Sequence, residues 1–172
     1  MNDFKEVSVS KVRVENTFDL ISKKWMLITA GSKNSFNTMT ASWGCMGFLW
    51  NKNVSVCFVR PERYTFEFIE QNELYTLSFY PEEYRDVLTY CGTHSGKDVD
   101  KVKKTGLNPV FSEKAPYFKE ASLVFVCKKM YTDYIEKRNI LDGTIITNYY
   151  NGDSYHKMYI GEIVKVLKKI ND

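Results

Sequence analysis

Residues 37–44 of the chain read NTMTASWG. Thr38, Thr40 and Ser42 occupy alternate positions, and Met39 and Trp43 fall at positions of the opposite parity. Because successive side chains of a β-strand point to opposite faces, the pattern predicts a strand with hydroxyls on one face and apolar groups on the other. Such a row of hydroxyls could hydrogen-bond the edge of a ligand, or it could face water, since threonine is common in strands.

Segments with strand character lie on both sides of this stretch. In one of them Val54, Val56 and Phe58 recur with a period of two, as in a strand. The predicted strands are residues 25–30, 38–44, 53–59, 74–79, 122–130 and 158–166. Helices do not alternate regularly with these strands, and no G-x-G-x-x-G follows one, which argues against a parallel dinucleotide-binding domain.

Short helices are predicted between the strands. Pro81 starts one of them, in which apolar side chains recur with helical spacing at Tyr84, Val87, Leu88 and Cys91 before Gly92 ends it. Residues 63–71 predict a second helix, and residues 98–104 predict a third that ends at Gly106. The expected fold class is therefore mainly β, a β-barrel with flanking helices.

Composition indicates one globular domain covering residues 1–172. The chain is 44% hydrophobic and 15% aromatic, and this length can bury a core without disulfides or metal. The formal charge of +3 is spread along the sequence, which is too weak a signal for nucleic-acid binding.

Cysteine spacing and hydropathy indicate the cellular setting. Cys45, Cys57, Cys91 and Cys127 lie far apart and lack the spacing of a metal site, so we expect free thiols and no bound metal. No stretch approaches the ~18 apolar residues of a membrane span, and the N-terminus lacks a signal-peptide pattern. We expect a cytoplasmic protein that does not associate with membranes.

A second polar segment, residues 60–65, reads RPERYT and leads from a strand end into a predicted helix. Helix N-termini attract phosphate through their free N–H groups and the helix dipole, and Thr65 with an arginine could complete such a site. The alternative is a solvated Arg-Glu pair that caps the helix.

A third polar segment, residues 91–101, reads CGTHSGKDVDK. Lys97 and Lys101 are four residues apart, and Ser95 and Gly96 permit close approach of the backbone to an anion. The alternative is a surface helix with Asp98 near its N-terminus. His94 in this loop could contact the same anion or face solvent.

Taken together and in order, these segments resemble the flavin reductase-like family, in particular its flavoredoxin-type members. The matching stretches are NTMTASWG, RPERYTFEFIEQNELYTLSFY, CGTHSGKDVDKVKKTGL and YHKMYIGEIVKV, within residues 25–166. The resemblance implies an FMN-binding split β-barrel, and a homodimer in which both subunits contribute to each flavin pocket.

The resemblance also implies which residues bind the cofactor. It assigns Thr38, Met39, Thr40 and Ala41 to the flavin ring and ribityl chain, with Ser42 and Trp43 nearby. It assigns Arg60, Tyr64 and Thr65 to the phosphate or the ring edge, and Ser95, Gly96, Lys97 and Lys101 to the phosphate and ribityl. Hydroxyls and cations of this kind suit a dianionic phosphate.

The function implied is that of an NAD(P)H-dependent oxidoreductase of the flavin reductase type. NADH or NADPH would reduce bound FMN, which would pass electrons to a small-molecule flavin or to a redox-protein acceptor. Two alternatives are a non-enzymatic FMN electron carrier that a protein partner reduces, and a ligand-binding barrel without redox function.

The sequence identifies no catalytic acid-base pair. His156 stands where the family often has a histidine before the last barrel strand, so it could approach the flavin or the substrate. It could equally be a partly buried histidine that hydrogen-bonds to the backbone.

Overall fold

The computed structural model describes residues 3–12, 16–152 and 154–170, and β-strands dominate it. The strands are β1 (Phe4–Val7), β2 (Met26–Gly31), β3 (Phe36–Ala41), β4 (Gly44–Leu49), β5 (Lys52–Val59), β6 (Leu74–Phe79), β7 (Pro109–Val110), β8 (Tyr117–Phe118), β9 (Leu123–Tyr134) and β10 (Lys157–Lys169). The helices are α1 (Thr17–Asp19), α2 (Tyr64–Gln71), α3 (Arg85–Thr93), α4 (Lys101–Thr105) and α5 (Gly143–Tyr149). Turns of 3₁₀-helix cover Val9–Lys11, Glu82–Tyr84 and Lys137–Asn139, and a π-helical turn covers Leu20–Lys24.

The main sheet is antiparallel and has the strand order β3-β2-β6-β9-β10-β5-β4, with β1 paired to β10. The register between β9 and β10 shifts at Ile160/Gly161 and again at Ile163/Lys165. Such bulges bend strands and increase their twist, which curls the sheet. β3 and β4 are the two edges, and Ser42 and Trp43 connect them directly. The predicted fold, a mainly β barrel with flanking helices, is confirmed.

β2 is buried along its whole length because both of its faces are covered. Met26 and Ile28 belong to a core enclosed by the sheet, together with Met39 of β3. Leu27 belongs to a second core with Leu88 of α3. The second core holds α3 against the sheet, and the loop between α3 and α4 therefore lies beside β3.

The predicted strands agree with the structure at residues 25–30, 53–59 and 74–79, and the strands predicted at 122–130 and 158–166 continue to Tyr134 and Lys169. The strand prediction for 38–44 is wrong at its end, because β3 stops at Ala41 and β4 begins at Gly44. A Cβ at position 44 would lie 2.6 Å from the carbonyl oxygen of Val56, so glycine lets β4 pair closely with β5. Sequence patterns did not predict β1, β4, β7 or β8.

Two predicted helix boundaries are wrong. Gly92 does not end its helix, because α3 continues to Thr93. A Cβ at Gly92 would lie 3.3 Å from the Cβ of Thr40, so this glycine serves helix–strand packing. The third helix begins after Asp100 rather than at Asp98, because the Asp100 side chain accepts a hydrogen bond from the N–H of Lys103.

Candidate functional site

The two ends of β3 contact two cavities. A cavity of about 540 Å³, here called the lysine cavity, is lined among others by Asn37, Thr38, Tyr64, Phe68, Gly96, Lys97 and Lys101. A cavity of about 300 Å³, here called the aromatic cavity, is lined by Met39, Thr40, Ala41, Ser42, Trp43, Phe58, Arg60, Asn148, Tyr149 and His156. Asp98 and Asp100 also line the lysine cavity, so a single strand connects a polar, charged space with an aromatic one.

Lys101 is a buried cation on the wall of the lysine cavity, with 5% of its surface exposed. Its Nζ donates hydrogen bonds of 2.8 Å to the carbonyl oxygens of Thr38 and Cys91. Within the described parts of the chain no carboxylate pairs with it, and burial lowers the pKa of Lys101 to about 8. Two carbonyl dipoles solvate the ammonium incompletely, so an anion in the cavity would stabilise it.

Gly96 forms the tightest contact between the α3–α4 loop and β3. A Cβ at this position would lie 2.1 Å from Oδ1 of Asn37, so only glycine fits without displacing that side chain. Asn37 is buried, and its Nδ2 donates a 2.8 Å hydrogen bond to Oγ1 of Thr65 at the start of α2. Asn37 therefore joins the loop, β3 and α2 at one point, with the hydroxyl of Thr65 buried inside that junction.

The remaining predicted residues of the third segment lie nearer to solvent. Lys97 has 57% of its side chain exposed and pairs with Glu67 at 2.7 Å. Its Nζ also lies 5.3 Å from the ring centre of Tyr64. Ser95 accepts a hydrogen bond from the backbone N–H of Lys97. Lys97 is thus an exposed cation on a turn, in contrast to the buried ammonium of Lys101.

The threonine row of β3 faces the protein rather than water. Oγ1 of Thr38 lies 2.8 Å from Oγ1 of Thr29 and 3.3 Å from the carbonyl oxygen of Ile28. The hydroxyl of Thr40 donates to the carbonyl oxygen of Leu88 on α3. The water-facing alternative is excluded for Thr38, which is 1% exposed. Both threonines line a cavity, but their hydroxyls already have partners within the protein.

Arg60 ties the end of β5 to α5 across the aromatic cavity. Its guanidinium donates a 2.6 Å hydrogen bond to the carbonyl oxygen of Tyr149 and pairs with Glu62 at 3.6 Å. It also lies 5.6 Å from the ring centre of Tyr150. The Arg-Glu pair that the sequence suggested as an alternative is thus present, and the same arginine also lines the cavity.

Trp43 and His156 form much of the aromatic wall. The Trp43 ring centre lies 4.9 Å from that of His156 and 5.2 Å from that of Tyr149. Nδ1 of His156 is 3.0 Å from the hydroxyl of Tyr150. Burial, with a further contribution from the charge of Arg60, lowers the pKa of His156 to about 4. The imidazole is therefore neutral at physiological pH.

The structure brings most of the predicted site residues together but divides them between the two cavities. Thr65 and Ser95 line neither cavity, and His94 stacks on Tyr90 at 3.9 Å. Sequence reasoning did not assign Asn37, Phe58 and Asn148 to the site. Asn37 opens the quoted segment NTMTASWG and could have been found, whereas nothing in the sequence marked Asn148, which reaches the cavity from α5.

The family model for the flavin reductase like domain matches residues 18–171. The chain belongs to this family. Among curated proteins, no relative matches the chain. No helix in the described residues is long and apolar enough to span a membrane.

Solved structures with the fold of the flavin reductase-like family superimpose over most of the chain. An FMN-binding domain of a flavin reductase-like enzyme from Shewanella baltica has a TM-score of 0.68 at 18% identity, covering 98% of this chain and 78% of that one. Flavoredoxin of Desulfovibrio vulgaris has a TM-score of 0.65 at 22% identity, with coverages of 98% and 77%. An FMN-binding protein from Thermus thermophilus with bound p-hydroxybenzaldehyde has a TM-score of 0.68 at 15% identity, with coverages of 95% and 81%.

Proposed function

We propose that this protein binds FMN along β3 and passes electrons from NADH or NADPH through the flavin to a flavin or another small acceptor. The observation that carries the proposal is the pair of cavities at the two ends of one strand. One holds a buried ammonium that pairs with no carboxylate among the described residues, and the other has an aromatic wall. FMN has the matching polarity, with a dianionic phosphate at one end and a planar ring system at the other.

The lysine cavity suits the phosphate. Lys101 supplies a fixed positive charge, and the absence of a Cβ at Gly96 lets the loop pack tightly beside it. Charge-assisted hydrogen bonds to a phosphate would replace the hydration that the buried ammonium has lost. Lys97 could turn from Glu67 toward the same anion, because both side chains are about half exposed.

The aromatic cavity suits the ring system. Trp43 and Tyr149 supply apolar surface and limit the access of water, while Arg60 holds Tyr149 in place through its carbonyl oxygen. Bound FMN supplies reversible storage of two electrons, which no side chain in either cavity offers. The protein's own residues would bind and orient the ring and set the charge around it.

Membership of the flavin reductase-like family supports NADH or NADPH as the proposed donor. A small acceptor is consistent with the related Thermus thermophilus protein, which was solved with p-hydroxybenzaldehyde. An FMN electron carrier is the second candidate, supported by the likeness to flavoredoxin and by the exposure of Trp43 and Tyr149 at the cavity mouth.

A cytoplasmic location also remains a proposal, for which the free and exposed thiol of Cys45 is the support.

We also propose that two copies of the chain associate through the edge strand β4. Phe48 in β4 and Trp50 in the turn to β5 are 68% and 55% exposed, which is unusual for large apolar side chains on a sheet edge. A second copy would cover these groups. Sedimentation should give a dimer for the wild type and a monomer for Trp50→Asp, and a wild-type monomer would overturn this part of the proposal.

The test of FMN binding is Lys101→Met measured against Lys104→Met. Both lysines are on α4, but Lys104 is exposed and does not line the cavity. We expect Lys101→Met to weaken FMN binding at least about tenfold, the effect of losing one charge-assisted bond of about 1.5–3 kcal/mol, with no change for Lys104→Met. Equal affinities in two folded variants would place the phosphate elsewhere, and circular dichroism establishes that both are folded.

A further inference from the structure

Tyr150 and His156 form a side-chain pair beside the aromatic cavity. The hydroxyl of Tyr150 lies 3.0 Å from Nδ1 of His156, and Tyr150 itself is 4% exposed. The ring of Tyr155 stacks on Tyr150 with a centre distance of 4.6 Å and an angle of 22° between planes. The carbonyl oxygen of His156 accepts a 2.9 Å hydrogen bond from the N–H of Ile135, which fixes the backbone. His156 is thus held both by its backbone carbonyl oxygen and by its ring nitrogen Nδ1.

The direction of this hydrogen bond follows from the donors available. His156 is neutral, so one ring nitrogen carries a proton and the other is an acceptor. The hydroxyl of Tyr150 makes no other hydrogen bond within the described residues. If Nδ1–H donated to this hydroxyl, the phenolic proton would be buried without an acceptor, which is costly. The favourable arrangement has Tyr150 donating to Nδ1, and the imidazole proton is then on Nε2.

The charged groups around the pair are Arg60 and Glu62. Arg60 lies over the Tyr150 ring at 5.6 Å, and its charge opposes protonation of the imidazole, whereas Glu62 favours protonation. Glu62 interacts with groups other than His156: it pairs with Arg60 at 3.6 Å and accepts a hydrogen bond from Ser154. Burial, reinforced by the charge of Arg60, lowers the pKa of His156 and keeps the imidazole neutral, which leaves its Nε2–H as a donor.

We propose that Tyr150 is a positioning residue that holds His156 in the Nε2–H tautomer, so that the imidazole presents a neutral hydrogen-bond donor to a ligand in the aromatic cavity. His156 lines that cavity, and Nε2 is its remaining polar ring atom. The ligand class is a planar ring that carries a carbonyl oxygen or a ring nitrogen at its edge. FMN as this ligand rests on the proposed function, whereas the tautomer does not. The neutral imidazole would orient the ligand by a hydrogen bond from Nε2–H.

The tautomer is tested by nitrogen NMR of the full-length protein. The chain has two histidines, so a His94→Gln variant assigns the signals of His156. We expect Nδ1 to have the shift of an unprotonated nitrogen and Nε2 that of a protonated one. Tyr150→Phe should move the two shifts toward each other. The matched control is Tyr155→Phe, which removes a buried hydroxyl that has no partner within the described part of the chain and keeps the aromatic stack.

The outcomes separate this proposal from the proposed function. A protonated Nδ1 in the wild type, or equal spectra for Tyr150→Phe and wild type, would overturn the role of Tyr150. Addition of FMN should shift Nε2 of the wild type. FMN that binds, as its absorbance shows, without shifting Nε2 would overturn the donor role. Wild-type protein that does not bind FMN would refute the proposed function, while the tautomer measurement would still decide the role of Tyr150.

Discussion

The ammonium of Lys101 donates a 2.8 Å hydrogen bond to the carbonyl oxygen of Thr38, which joins α4 to the strand that connects the two cavities. A second bond of the same length reaches Cys91 at the end of α3. The charge is therefore fixed between two elements before any ligand arrives. A pre-positioned cation binds an anion without the entropy cost of ordering a long side chain, which is the usual disadvantage of lysine.

FMN affinity should decrease above about pH 8. The pKa of Lys101 in the free protein is about 8, because burial lowers it, and a bound phosphate stabilises the charged form. Below that pH the lysine is already charged, so affinity is constant. Above it, binding requires uptake of a proton, and the Kd should rise by up to about tenfold per pH unit. Fluorescence titrations from pH 7 to 9.5 measure this, and Lys101→Met should abolish the dependence.

Gly96→Ala should weaken FMN binding by about tenfold or more. The new Cβ would lie 2.1 Å from Oδ1 of Asn37 and would force the loop away from β3, breaking the alignment of Asn37 with Thr65. Gly143→Ala is the control, because nothing lies within 4 Å of a Cβ at that position. If the two variants bound FMN equally well, the loop would not form part of the site.

Arg60→Ala should reduce FMN affinity more than Lys97→Ala does. Arg60 lines the aromatic cavity and holds Tyr149, so its loss both removes a cation and loosens α5. Lys97 is 57% exposed and paired with Glu67, and exposed ion pairs contribute little. In equilibrium titrations we expect the Kd for FMN to rise about tenfold for Arg60→Ala and less than about threefold for Lys97→Ala. The reverse order would contradict the role of Arg60 at the aromatic cavity and would show that Lys97 leaves Glu67 to bind the flavin.

His156 should make the fold less stable as the pH falls from about 6.5 to about 4. Its pKa in the folded protein is about 4, so the unfolded chain binds a proton in this range that the folded protein does not. Urea denaturation at pH 7 and pH 5 should show a smaller loss of stability for His156→Asn than for wild type. His94→Asn should behave as wild type, because His94 is exposed. If His156→Asn lost as much stability as the wild type between pH 7 and pH 5, the low pKa of His156 would be contradicted.

Sequence patterns predicted the barrel because strand periodicity is a local property. Residues 74–79 were assigned correctly since their β-branched and aromatic character matches a buried strand. The end of β3 was assigned wrongly because the break at Ser42 depends on the approach of Gly44 to Val56 on another strand. The same is true of Gly92, whose role in packing against Thr40 overrides its usual place at a helix end.

The site was predicted less completely than the fold, because burial and long-range contacts decide it. Lysine is normally exposed, so the composition of residues 91–101 gave no reason to expect the buried ammonium of Lys101. Asn148 and Tyr149 reach the aromatic cavity from α5, far along the chain from β3. The assignment of residues to FMN remains a prediction that the variants above can test.

The most direct measurement is the visible spectrum of the purified protein, supplied with FMN, before and after addition of NADH or NADPH without oxygen. We expect flavin absorption that stays with the protein through gel filtration and bleaches when the nicotinamide is added. If the absorption persists, the protein is not a nicotinamide-dependent reductase, and an electron carrier that a protein partner reduces becomes the favoured function. A protein that remains colourless after FMN is supplied would contradict the central claim that this chain binds FMN.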